Sequence, residues 1–76
     1  MNIDHLVEMA NDIGNFFKSE PDREDAVNGV FTHLCRFWEL RMQKQIVGYL
    51  DQGGDGLDPI VMEAVKRLRP GTSTGQ

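Results

Sequence analysis

The 76-residue chain has few of the features that cross-link a small protein or hold it in a membrane. It holds one cysteine, and its Cys and His residues do not have the spacing of a zinc site. A lone cysteine cannot close an internal disulfide, and a free thiol is typical of a reducing compartment. No stretch approaches the roughly 20 apolar residues of a membrane span, and the first ten residues do not resemble a signal peptide. These features predict a cytoplasmic protein without a membrane segment.

Basic residues are also scarce. Eight Lys and Arg stand against twelve Asp and Glu, which gives a formal net charge of −4. Contacts to phosphates need clustered basic residues, so we expect no nucleic-acid partner. Residues 1–25 hold seven acids, which we interpret as a solvated helix face, whereas residues 26–50 hold one acid and three basic residues.

The length allows one domain. A chain of this size buries only about 60% of its unfolded surface, and its core supplies on the order of 3–5 kcal/mol of stability. We predict a single helical domain over residues 1–69, a flexible tail over residues 70–76, and a need for a partner.

Apolar periodicity predicts an all-α fold, a small bundle of four helices at about residues 3–18, 22–38, 40–52 and 59–69. Asn2 is the expected N-cap of the first helix. Its apolar face comprises Ile3, Leu6, Val7, Ala10, Ile13 and Phe17, and its polar face Asp4, Glu8, Asn11, Asp12 and Asn15. Met9 and Phe16 lie beside the apolar face, where they either widen the core contact or form a second seam for another chain.

Prolines mark two of the helix starts. Pro21 fits the first turn of the second helix, with Ser19 or Glu20 as the cap. Asp58 is the expected N-cap of the fourth helix and Pro59 its first residue. The glycine-rich residues 52–56 form a loop before it.

The second helix has an apolar arc of roughly 160°, wider than the stripe of about 100° that is typical of a surface helix. Its members are Val27, Val30, Phe31, Leu34, Cys35, Phe37 and Trp38. Such an arc indicates two neighbouring helices. The apolar phase then slips near Glu39 and Leu40, which predicts a bend or break there; the alternative is one long curved helix.

No catalytic, cofactor-binding or metal-binding set emerges. Residues 51–56 resemble a calcium loop, but Gly53 stands at a ligand position and Met62 stands where the closing Glu belongs. The same loop precedes a helix and could be considered a phosphate-binding loop, but it is not followed by the Lys that such a loop needs. His33 and Cys35 diverge by roughly 160° on a helix, so we interpret Cys35 as a small core residue and His33 as an edge residue.

Trp38 stands at the predicted break among Arg and Met residues, the types enriched in interface cores. It is either a core residue or part of a surface that faces a partner. In such a small domain both can hold, with one face of the indole ring buried in the core and the other against the partner. The candidate partner-binding residues are Trp38, Arg41, Met42, Arg36, Phe16 and Met9.

Together these motifs resemble the delta subunit of the soluble, NAD-dependent, molybdenum-containing formate dehydrogenases. The family pattern has paired Phe before a Pro-Asp turn, then H-L-x-x-F-W-x-P-R-M, a glycine loop and G-L-x-P-x-V-x-x-A-V. The matching residues, within residues 13–68, are Phe16, Phe17, Pro21, Asp22, His33, Leu34, Phe37, Trp38, Arg41, Met42, Gly56, Leu57, Pro59, Val61, Ala64 and Val65. Leu40 stands where the pattern has Pro.

The resemblance implies a non-catalytic accessory subunit without a cofactor of its own. Its implied partner is the large catalytic subunit of a formate dehydrogenase, whose assembly or stability it would support. The alternative is a free-standing homodimeric interaction or regulatory module. A small enzyme is disfavoured, because no nucleophile and base stand in a suitable pattern.

Overall fold

The computed structural model describes residues 2–68 and contains four α-helices. They are α1 (Ile3–Phe17), α2 (Arg23–Phe37), α3 (Leu40–Asp51) and α4 (Pro59–Leu68). This confirms the predicted all-α fold, and no strand occurs among the described residues. The predicted end of the fourth helix at residue 69 and the predicted tail lie outside residues 2–68. The division into one domain and a tail stays a prediction.

Short polar side chains begin the first two helices. The Asn2 side chain accepts a hydrogen bond from the Asp4 backbone N–H at 2.9 Å, which confirms the predicted cap of α1. The prediction for α2 was wrong: its N-cap is Asp22, whose carboxylate accepts from the Glu24 N–H at 3.0 Å. Pro21 therefore lies before the helix. Asp is a strong capping residue because its short side chain reaches the free N–H groups of the first turn.

The core draws buried apolar side chains from every helix and from the loop before α4. They are Leu6, Ala10, Val27, Val30, Leu34, Trp38, Met42, Ile46, Val47, Leu57, Val61, Ala64 and Val65. Within residues 2–68, no charged or polar side chain is buried. Stabilisation therefore comes mainly from apolar area removed from water, at about 25 cal/mol per Å².

Helix α2 packs against both α1 and α4, which confirms the two neighbours predicted from its wide apolar arc. An exposed contact adds to the α2–α4 packing, since Arg67 donates hydrogen bonds to Asn28 and Glu24, each at 2.6 Å. Two members of the arc are not covered, however. Cys35 is exposed and Phe37 is 70% exposed. The interpretation of Cys35 as a core residue was wrong, because the two neighbours cover only part of the arc.

The chain breaks between α2 and α3, as the apolar phase predicted. Trp38 and Glu39 both have extended backbone, with ψ angles of 133° and 155°. The Gln43 side-chain amide donates to the carbonyl oxygens of Trp38 at 2.8 Å and Leu34 at 3.3 Å. The Leu34 carbonyl also accepts from the Trp38 backbone N–H at 3.1 Å, so the main gain is a partner for the Trp38 carbonyl beyond the end of α2. The alternative of one long curved helix is excluded.

Asn11 holds the glycine-rich loop against α1. Its side-chain amide donates to the Gly56 carbonyl at 2.8 Å, and its side-chain oxygen accepts from the Asp58 N–H at 3.0 Å. The periodicity predicts that Asn11 faces solvent with the other polar residues of α1. In the structure its side chain contacts the loop instead. Beyond this clamp, α4 begins at Pro59, with Asp58 at the N-cap position as expected.

Candidate docking surface

The most exposed large apolar side chain is at the C-terminal end of α1. Phe16 is 75% exposed, whereas its neighbour Phe17 packs against the core. Phe17 lies over Gly29 of α2, where its ring occupies the space that a Cβ atom would need. Since successive helical residues differ by about 100° in direction, a Phe17 that points at α2 leaves Phe16 directed away from it.

A second exposed ring lies at the end of α2. Phe37 is the last residue of this helix, and its ring contacts His33 one turn earlier, with centroids 4.7 Å apart. On α1, Phe16 and Phe17 form an edge-to-face pair with centroids 5.0 Å apart. We call Phe16, Phe17, His33 and Phe37 the aromatic strip.

The strip borders two shallow depressions. One, of about 410 Å³, is bordered by Phe17, His33 and Phe37, and the other, of about 300 Å³, by Phe16, Phe17 and His33. Phe17 and His33 border both, so the two depressions are adjacent. The surface between α1 and α2 is therefore continuous, aromatic and open to solvent.

Each depression has one charged residue at its border. Asp12 borders the depression next to Phe16, and Arg36 borders the one next to Phe37. Within residues 2–68, neither side chain forms an ion pair or hydrogen bond. Apolar rings with a few unpaired charges at the edge are the composition of a protein-binding surface.

A family model described as NADH-dependent formate dehydrogenase delta subunit FdsD matches residues 5–65. The chain belongs to this family. The match confirms the resemblance found in the sequence motifs. No curated protein and no solved structure matches the chain.

The aromatic strip of this delta-family chain includes one predicted partner-binding residue and is bordered by another. Phe16 lies in the strip, and Arg36 borders one of its depressions. Arg41 is exposed in a different depression, of about 440 Å³, beside Leu40 and Lys44. Contact between a partner and these residues stays a prediction.

The other predicted partner-binding residues lie in or against the core. Trp38 is 6% exposed and Met42 is 9% exposed, so the core covers both faces of the indole ring. Met9 is partly buried and packs against the core, as one of its two interpretations proposed. These three side chains leave little area for a partner.

Sequence reasoning missed Phe37 as a surface residue, whereas it placed His33 at the edge of the second helix. The width of the α2 arc was not a sufficient signal, because two neighbouring helices could cover an arc of roughly 160°. Periodicity does not tell which edge of such an arc stays open. That depends on where α1 ends along α2.

Metal ligation has no support among residues 2–68, which hold no group of three or more His, Cys, Asp or Glu residues that could hold a metal ion. The loop that resembles a calcium site instead closes a turn. Its three glycines have positive φ angles, and the Tyr49 hydroxyl donates to the Asp55 carbonyl at 2.5 Å. Over the same residues, no helix is both long enough and apolar enough to cross a membrane.

Proposed function

We propose that this chain is a non-catalytic accessory subunit of a molybdenum-containing, NADH-dependent formate dehydrogenase. It binds the large catalytic subunit in the cytoplasm and supports assembly or stability of the complex. The observation that carries this proposal is the delta-subunit family match over residues 5–65. The exposed aromatic strip supports it physically, since it offers a small subunit a surface to bury.

The energetics favour association. Burying an exposed Phe side chain is worth about 1.5–3 kcal/mol, and the strip has two Phe residues that are at least 70% exposed. The free chain has only a small core, so a partner that covers the strip also stabilises the fold. Binding to the folded chain alone shifts the unfolding equilibrium in its favour by mass action.

Co-purification tests the proposal. The chain, tagged at one end and expressed in its own host, is expected to bring down a formate dehydrogenase large subunit in a stoichiometric complex. Deletion of the gene is expected to lower the yield or the thermal stability of the assembled enzyme. If the tagged chain never captures that subunit and deletion leaves the enzyme unchanged, the proposal is wrong.

Arg41 provides a test of the second predicted contact region. Arg41→Ala removes an exposed charge outside the strip and leaves the core intact. If Arg41 contacts the large subunit, the variant is expected to bind it several-fold more weakly at low salt, because a charge at the rim of an interface acts mainly on the association rate. Unchanged binding at 50 mM and 150 mM salt would exclude Arg41 from the interface. Trp38 is unsuitable for this test, because truncating a buried Trp costs about 3–5 kcal/mol of stability.

A further inference from the structure

The aromatic strip is continuous enough to act as one site. Two of its rings belong to α1 and two to α2, and the two depressions that they border share Phe17 and His33. The outer rings, Phe16 and Phe37, are exposed, whereas Phe17 is anchored over Gly29. The site therefore has a fixed centre and two apolar ends.

The site is also polarised. Asp12 borders the depression at the Phe16 end, and Arg36 borders the one at the Phe37 end. Neither has a partner within the described part of the chain, whereas Glu24 on α2 is already paired with Arg67. An occupant that places a basic group at one end and an acidic group at the other gains both contacts.

The geometry points to a helix as the occupant, and this inference rests on the proposed function. We infer that the strip binds an amphipathic α-helix of the large catalytic subunit. Apolar side chains spaced at i and i+3 or i+4 would enter the two depressions, with a basic residue opposite Asp12 and an acidic residue opposite Arg36. A partner segment that binds as an added β-strand would need an exposed sheet edge, and residues 2–68 contain no strand.

A second copy of the chain fits less well. A two-fold axis through the strip would also place Asp12 opposite Arg36, but a stable dimer buries about 800 Å² on each partner. Two exposed Phe residues supply roughly 300–500 Å² even when fully buried. A larger subunit can add contact area beyond the ends of the strip. A second copy of this small domain has less surface with which to do so.

Binding to the purified full-length large subunit tests the apolar contacts. Phe16→Ala and Phe37→Ala are each expected to raise the Kd by about tenfold or more, as expected of anchor residues. Gln52→Ala is the control, because Gln52 is exposed and lies outside both the strip and the depression beside Arg41. It is expected to leave the Kd within about twofold. Equal effects of all three variants, or no effect of the two Phe variants, would overturn the inference.

Charge reversal tests the polarity. Arg36→Glu and Asp12→Lys are each expected to weaken binding several-fold at low salt, with a smaller effect at high salt. Arg23→Glu is the control for the first variant, because Arg23 is an exposed, unpaired residue at the other end of α2. A loss of affinity from Arg23→Glu as large as that from Arg36→Glu would show a diffuse charge effect and contradict the assigned polarity.

The outcomes separate the two proposals. If the wild-type chain does not bind the large subunit, the proposed function fails. If it binds and the strip variants bind equally well, only the inference fails. Sedimentation of the isolated chain covers the remaining case: a wild-type dimer that Phe37→Ala converts to a monomer would assign the strip to a second copy and overturn the inference. Circular dichroism confirms that each variant is folded, which is expected because both Phe side chains are exposed.

Discussion

Gly14 is a position at which α1 lies close against α4. A Cβ atom at this position would lie 2.6 Å from Cγ2 of Val61, a distance that real Cβ contacts do not show. Val61 is fully buried, and a β-branched side chain has few alternative rotamers in a helix. Gly48 of α3 is the opposite case, with no atom within 4 Å of such a Cβ. The two glycines therefore differ in packing and share a helical backbone.

Substitution of Gly14 by Ala is expected to lower the free energy of unfolding by up to about 2 kcal/mol. Overpacking costs about 1–3 kcal/mol, and the gain in helix propensity of about 1 kcal/mol offsets only part of it. Urea titration followed by circular dichroism measures the difference. A variant as stable as the wild type would show that Val61 can move aside.

The same substitution at Gly48 is expected to raise the free energy of unfolding by about 0.5–1 kcal/mol. The methyl group meets open space, and the unfolded chain loses some of glycine's conformational freedom. The measurement is the urea titration used for Gly14→Ala. A destabilised variant would contradict the open space described at this position.

At the scale of the elements, the break between α2 and α3 forms without the proline that the family pattern has there. Leu40 is the first residue of α3 and is 64% exposed. Glu39 before it has φ −63° and ψ 155°, which is the conformation required of a residue that precedes proline. The backbone is thus already suited to proline, and Gln43 supplies the stabilisation of the α2 terminus.

Leu40→Pro is therefore expected to be neutral or to stabilise the fold by up to about 1 kcal/mol. Proline at the first position of a helix loses no helical hydrogen bond and restricts the unfolded chain. Lys44→Pro is the control at an exposed position inside α3 and is expected to cost about 3 kcal/mol or more. Thermal melts of the two variants would refute this account if Leu40→Pro were as damaging as Lys44→Pro.

The loop before α4 depends on one side chain of α1. Asn11→Ala removes the two hydrogen bonds that join its side chain to the loop, to the Gly56 carbonyl and from the Asp58 N–H. We expect a loss of about 1–2 kcal/mol and faster hydrogen exchange of the Asp58 amide. Asn15→Ala, an exposed Asn one turn later with no such bonds, is the control. Equal exchange rates in both variants would contradict the conclusion that the Asn11 side chain holds the loop.

At the scale of the whole molecule, one core connects all four helices. Helix α1 contacts α2, α3 and α4, so no helix can leave without exposing side chains that the others bury. We predict a single cooperative unfolding transition, with a calorimetric enthalpy equal to the van't Hoff enthalpy. A calorimetric enthalpy clearly above the van't Hoff value would reveal a helix that unfolds separately.

The sequence predicted the helices well because each apolar face repeats at helical spacing, and it predicted the break because that repeat slips at Leu40. It did not predict the role of Asn11, since a polar residue on a polar face gives no sign of a loop 45 residues away. It left Trp38 either in the core or at a partner surface, because Trp is common in interfaces. The same ring is large enough to fill the corner between two helices, and the packing there is what buries it.

Because Trp38 is buried, its fluorescence distinguishes folding of the chain from binding of a partner at the strip. The only indole in the chain lies in the core and borders neither depression of the aromatic strip. Its fluorescence spectrum therefore reports whether the chain is folded, because unfolding transfers the indole to water and shifts its emission to longer wavelength. A partner that covers the strip leaves that environment dry in both states. The intrinsic emission of the isolated chain thus shows whether each surface variant is folded before its binding is measured.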